Sequence, residues 1–99
     1  EAPKIVTTDE EQQGYYIVCA ILGSEIDLSR IVMRDAQSYC AILFDNNNRK
    51  PICRLHFNGS KKYVETFDAD KVGIKHPINS LNDIYKLSNE LLAAANCYL

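Results

Sequence analysis

Between Arg30 and Asp68 the chain carries four runs rich in β-branched and aromatic residues: IVMRD, SYCAILF, PICRLHFN and KKYVETFD. They are interrupted only by AQ, DNNNRK and GS. A parallel pair needs a crossover of roughly a dozen residues, so breaks this short require antiparallel neighbours. The pattern predicts a four-stranded meander. Asp45-Asn46-Asn47-Asn48 suits a tight hairpin, because Asn tolerates the left-handed backbone that such turns need. A turn at Asn46-Asn47 sets Cys40 opposite Cys53 and Tyr39 opposite Arg54. A turn at Asn47-Asn48 shifts these pairs by two residues and keeps the same faces. Beyond Asp68, GIKHPI reads as a short edge segment.

Helices flank these strands. Thr7 with Glu10 and Thr8 with Glu11 form two overlapping capping boxes that place acid at the positive end of a helix dipole. Tyr15, Val18, Ile21 and Leu22, with Ile17 beside them, follow helical spacing, and Gly23-Ser24 is the expected stop. Gly14 costs that helix about 1 kcal/mol relative to Ala, which points to close packing at this position. At the other end Ser80 is the expected cap with Asp83 three residues on. Leu81, Ile84, Leu87 or Ser88, Leu91, Leu92 and Ala95 supply a buried stripe. The expected architecture is therefore α+β: an N-terminal helix, a four-stranded antiparallel meander and a C-terminal helix, with both helices on one face of the sheet.

At 99 residues the chain has room for one domain, and no apolar run approaches the roughly 20 residues that cross a bilayer. The expectation is a single domain over 1–99, cut from a longer protein, with 1–7 as linker and no membrane partner. The cysteines at 19, 40, 53 and 97 contain no C-x-x-C pair. No metal site is signalled, and buried free thiols are expected in preference to disulfides, as in the reducing cytoplasm.

Charge is unevenly spread. RKPICRLHFNGSKK, residues 49–62, holds five of the eleven Lys and Arg and none of the thirteen acids, in a chain whose net charge is −2. With Cys53, Leu55 and Phe57 turned to the helices, alternation turns Arg54, His56 and Asn58 to the open face. Arg34 and Tyr39 join them there, and Arg49, Lys50, Lys61 and Lys62 are expected at one end or along its rim. Such a face suits phosphate and base contacts, a protein interface, or simple solvation of one side of an antiparallel sheet. The pI of 5.6 argues against a free-standing DNA binder.

Catalytic signals are weak. Cys53 and His56 are three residues apart on one strand and so point to opposite faces, which excludes a simple nucleophile and base pair. His76 before Pro77 reads as a turn residue. Asp9, Glu10 and Glu11 read as helix-start charges, and Asp68 and Asp70 as turn formers. No P-loop or G-x-G-x-x-G is present.

The run from Ile31 to Tyr63, with VMRDAQSYCAILFDNNNRKPICRLHFNGSKKY at its centre, resembles a domain C-terminal to the nuclease-like domain of bacterial restriction endonucleases. These enzymes are related to the N-terminal region of the type I restriction enzyme R subunit. GYYIVCAIL and SLNDIYKL fit the same pattern. The resemblance implies a cytoplasmic restriction-modification or related defence protein that handles DNA. It does not imply that this chain cuts. Such nucleases place a metal-binding Asp on one strand and Glu-x-Lys or Asp-x-Lys on the next. Here Asp45 is followed by Ile52-Cys53-Arg54-Leu55-His56, while Glu65-Thr66-Phe67 and Asp68-Ala69-Asp70 lack the Lys. The expectation is an accessory domain without catalytic residues or cofactors of its own. Its partner is DNA, met at Arg34, Tyr39, Arg49, Lys50, Arg54, His56, Asn58, Lys61 and Lys62. The alternative is a module packing on the parent nuclease domain or on a second copy as a homodimer, anchored by Tyr39, Arg54 and Tyr63.

Overall fold

Thr8 caps the first helix, α1, which runs Asp9–Leu22. The Thr8 hydroxyl accepts from the Glu11 N–H at 3.2 Å, and Glu11 Oε1 accepts from the Thr8 N–H at 3.0 Å. This is the expected reciprocal capping box. The computed structural model describes residues 8–36 and 38–99. The linker expected over 1–7 and the alternative box at Thr7 lie outside the described residues. Gly23 ends the helix with its N–H on the Cys19 carbonyl at 2.8 Å. Gly14 is where α1 meets the sheet most closely: a Cβ there would lie 2.9 Å from Leu55 Cδ1 and 3.1 Å from Phe57 Cε2.

Among the described residues the sheet has five strands, not the four expected. They are β1 (Ile31–Asp35), β2 (Cys40–Phe44), β3 (Pro51–His56), β4 (Lys62–Phe67) and β5 (Gly73–Ile78), antiparallel neighbours in chain order. The added strand is GIKHPI, which pairs along its whole length with β4, from Lys62↔Ile78 to Phe67↔Gly73. Only Ile78 of β5 is buried, so its residues lack the half-buried alternation that marks a strand. Pro77 is tolerated because β5 is an edge.

The hairpin between β2 and β3 turns at Asp45 and Asn46 rather than Asn46 and Asn47. Both have left-handed φ, 56° and 55°, and Asn47 N–H donates to the Phe44 carbonyl at 3.1 Å, a type I′ geometry. A second turn from Asn47 to Lys50 lengthens the connection. The pairs Cys40–Cys53 and Tyr39–Arg54 are therefore not formed. Cys40 faces Leu55 and Ala41 faces Arg54, the two-residue shift that preserves faces. A register break between Ile42 and Leu43 leaves Ile52 as the extra residue of a bulge, which buries both Ile52 and Cys53.

The core joins these elements. Cys40, Ile42, Cys53, Leu55 and Val64 from the strands cluster with Val18 and Leu22 of α1, with Ile84, and with Leu91 and Ala95. The last two belong to α2 (Ser88–Asn96), which follows a 3-10 segment, Leu81–Leu87, where one continuous helix was expected. Tyr15 Oη donates to the Ile31 carbonyl at 2.7 Å and Tyr98 Oη to the Pro51 carbonyl at 2.9 Å, which ties α1 and the residues after α2 to the sheet.

Candidate interaction face

Directly paired residues of antiparallel strands share a face. One row therefore crosses all five strands, Arg34–Ala41–Arg54–Glu65–Lys75, and a second joins His56, Tyr63 and Pro77. These rows lie opposite the core residues Ile42, Cys53, Leu55 and Val64, as the alternation predicts. Glu65 is the one acid among the described strand residues of this face.

Its two arginines are held, not loose. Arg34 donates from Nη1 to Asn48 Oδ1 and from Nη2 to Asn46 Oδ1, both at 2.9 Å, so the hairpin turn orients it. The Arg54 guanidinium carbon lies 4.9 Å from the Tyr39 ring centre and 5.3 Å from that of Phe67, within cation–π range of both. Its Nε is buried with no hydrogen-bond partner among the described residues. His56 Nε2 lies 2.9 Å from Glu65 Oε1, an ion pair when the ring is protonated, and the ring sits 5.8 Å from that of Tyr39. Glu65 folds back over Gly73, where a Cβ would collide with Oε2; the missing side chain makes room for the carboxylate.

Of the nine residues expected in the site, Arg34, Tyr39, Arg54 and His56 are brought together. The other five are dispersed. Arg49 and Lys50 sit in the β2–β3 connection, and Asn58, Lys61 and Lys62 sit at the β3–β4 end. Consecutive connections of a meander fall at opposite ends of the strand between them, so these groups are separated by the six residues of β3, about 20 Å. The shared end expected for them is not formed. Lys62 turns to Glu10 of α1, away from the open face, because it pairs with the core residue Ile78. Arg49, Asn58 and Lys61 are exposed. Lys50 Nζ lies 5.9 Å from the Phe44 ring centre.

Phe67, Glu65 and Lys75 belong to the face and were missing from the sequence reading. Lys75 needed β5 as a full strand, and Phe67 and Glu65 needed the β4 register. A pocket of about 370 Å³ opens beside the face, lined by Arg49, Lys50, Phe67, Lys71, Cys97 and Tyr98 among others. Lys71 has a left-handed φ of 63°, a conformation that favours Gly, at the end of a turn closed by its N–H on the Asp68 carbonyl. Its Nζ donates to the Arg49 carbonyl and lies 5.8 Å from the Tyr98 ring centre. No sequence motif announces this arrangement.

The cysteines are free thiols; Cys40 and Cys53 are buried, Cys19 is half-buried, and Cys97 is exposed, unlike the buried thiol expected there. Burial pushes the Cys53 thiol well up, and burial with Glu11 and Asp35 nearby pushes Cys40 up to about 12. Neither is a thiolate nucleophile at neutral pH. Glu11, Asp35 and Cys40 bring one ligating atom each within 4.8 Å of one another. Among the described residues no helix is long and apolar enough to cross a membrane. Comparison with family models, with curated proteins and with solved structures finds no match to this chain.

Proposed function

We propose that this chain is a non-catalytic accessory domain of a restriction-endonuclease-like protein of the bacterial cytoplasm, contacting DNA through its open sheet face. Both helices cover the opposite, core face, since their buried residues share one cluster with the inward strand residues. The parent association rests on the resemblance of residues 31–63. The observation that carries the DNA reading is the row holding Arg34, Arg54 and Lys75, with His56 beside it, against Glu65 as the one acid among the described strand residues of the face. Among the described residues Asn46 and Asn48 take two of the five N–H donors of Arg34, and Tyr39 and Phe67 orient Arg54 through ring contacts that use the face of the guanidinium rather than its N–H groups. Pre-oriented guanidinium groups lose little freedom on meeting a phosphate. Arg49 and Lys50 extend the cationic surface at one end, and Lys62 stands outside it.

Fluorescence anisotropy with labelled duplex and single-stranded DNA at low salt tests this reading. Binding that weakens at least tenfold in Arg54→Ala supports it. Binding by the wild type that Arg54→Ala leaves unchanged contradicts it.

A second reading is favoured by Arg54 with Tyr39, since Arg and Tyr are the residue types that anchor protein interfaces. The face then packs on the parent nuclease domain or on a second copy. Light scattering on the chain addresses the second-copy form. A dimer that Tyr39→Ala dissociates supports it, and a monomer at high concentration removes it.

A further inference from the structure

We infer that Glu11, Asp35 and Cys40 form a binding site for a borderline-soft divalent cation, with zinc as the representative. Asp35 and Cys40 are direct cross-strand partners at the end of the β1–β2 hairpin, so their side chains share a face. The first turn of α1 lays Glu11 against that pair. Glutamate here is 1% exposed, and its two oxygens have different roles. Oε1 accepts from the Thr8 N–H at 3.0 Å and from Thr8 Oγ1 at 3.1 Å. Oε2 is buried and has no hydrogen-bond partner among the described residues.

This is how a metal ligand is held: one oxygen fixed by outer hydrogen bonds, the other left with its lone pairs free. The three ligating atoms lie within 4.8 Å of one another, and zinc at its usual bond lengths needs them at about 3.3–3.7 Å, so binding draws them closer. A thiol among the ligands disfavours magnesium and calcium, which take oxygen, and suits zinc or cobalt. On binding, the Cys40 S–H bond breaks, its proton passes to solvent and a metal–sulfur bond forms. The dication then offsets two carboxylates and a thiolate that burial would otherwise disfavour. Asp35 is the least buried of the three and marks the side of entry, leaving the fourth position to water.

The test uses the whole chain, stripped of metal and titrated with Co²⁺ as an optical probe. The site predicts a one-to-one thiolate-to-cobalt charge-transfer band in the near ultraviolet, displaced by Zn²⁺. The band is lost in Cys40→Ser and retained in Cys19→Ser and Cys97→Ser. Should Cys40→Ser fail to fold, Glu11→Gln decides, because Gln keeps the capping box and removes the carboxylate. Co²⁺ affinity should fall at least tenfold in that variant. No charge-transfer band in the wild type overturns the inference. So does a band that survives Cys40→Ser, or an affinity that Glu11→Gln leaves unchanged.

Discussion

The guanidinium carbon of Arg54 sits 4.9 Å from the centre of the Tyr39 ring, although the two residues are not cross-strand partners; Arg54 pairs with Ala41. The small side chain of Ala41 leaves room for the ring and the guanidinium to meet over it. A cation–π pair contributes about 0.5–1 kcal/mol even at an exposed site, and this one is half-buried. Arg54 has a second ring, Phe67, at 5.3 Å. Arg54→Ala should therefore lower stability by about 1–2 kcal/mol in urea denaturation. A double-mutant cycle with Tyr39→Ala should return a coupling of about 0.5–1 kcal/mol. Additive single effects would show that the contact contributes nothing.

Gly14→Ala sets two effects against each other. Alanine improves helix propensity by about 1 kcal/mol. Its Cβ, however, would lie 2.9 Å from Leu55 and 3.1 Å from Phe57, both core residues, and overpacking costs about 1–3 kcal/mol. The net prediction is a loss of about 1 kcal/mol, read from the denaturation midpoint. A more stable variant would mean that the core yields at this position.

Lys71 carries a left-handed backbone that costs a non-glycine residue about 1 kcal/mol. Lys71→Gly relieves that strain and loses the Nζ bond to the Arg49 carbonyl. Stability should stay within about 1 kcal/mol of wild type, since a hydrogen bond of this kind contributes a similar amount. Thermal melting checks this, and a loss much larger than that would assign Lys71 a structural role.

Asp83 gives a pH signature. Its carboxylate accepts from the Asn79 N–H at 2.9 Å, lies 3.2 Å from Lys86 Nζ, and accepts from the Ser80 N–H at 3.3 Å. These contacts, the Asn79 bond foremost, hold its pKa below the ordinary value. A depressed carboxyl contributes stability that is present above its unfolded pKa of about 3.9 and is lost as pH falls through the lower folded value. Asp83→Asn should flatten the acid limb of the melting-temperature profile below about pH 4. Parallel profiles for the two chains would contradict the assignment.

The antiparallel order of β1 to β4 could be read directly from short breaks between β-rich runs, and the faces survived a wrong turn because a two-residue slip preserves them. Hence Arg54 and His56 were placed on the open face while their partners were not. GIKHPI reads as an edge segment and is one, but its standing as a full fifth strand was not legible, because its contacts are almost all with one neighbour strand and solvent and leave no burial pattern in Gly73–Ile78. The grouping of Lys61 and Lys62 with Arg49 and Lys50 failed because sequence proximity hides which end of a strand each connection occupies. Glu11, Asp35 and Cys40 meet only once the hairpin closes and α1 docks, so no spacing announces them.

The salt dependence of duplex binding tests the central claim most directly. Phosphate contacts by Arg34, Arg54 and Lys75, with Arg49 and Lys50 at the edge, predict that log K falls against log salt with a slope of about −3 to −5. Replacing both Arg34 and Arg54 with Ala should reduce that slope by about two, and Lys62→Ala, which touches only the Glu10 side, should leave it unchanged. A slope near zero, or one that Lys62→Ala alters and the double replacement does not, would contradict DNA contact through this face.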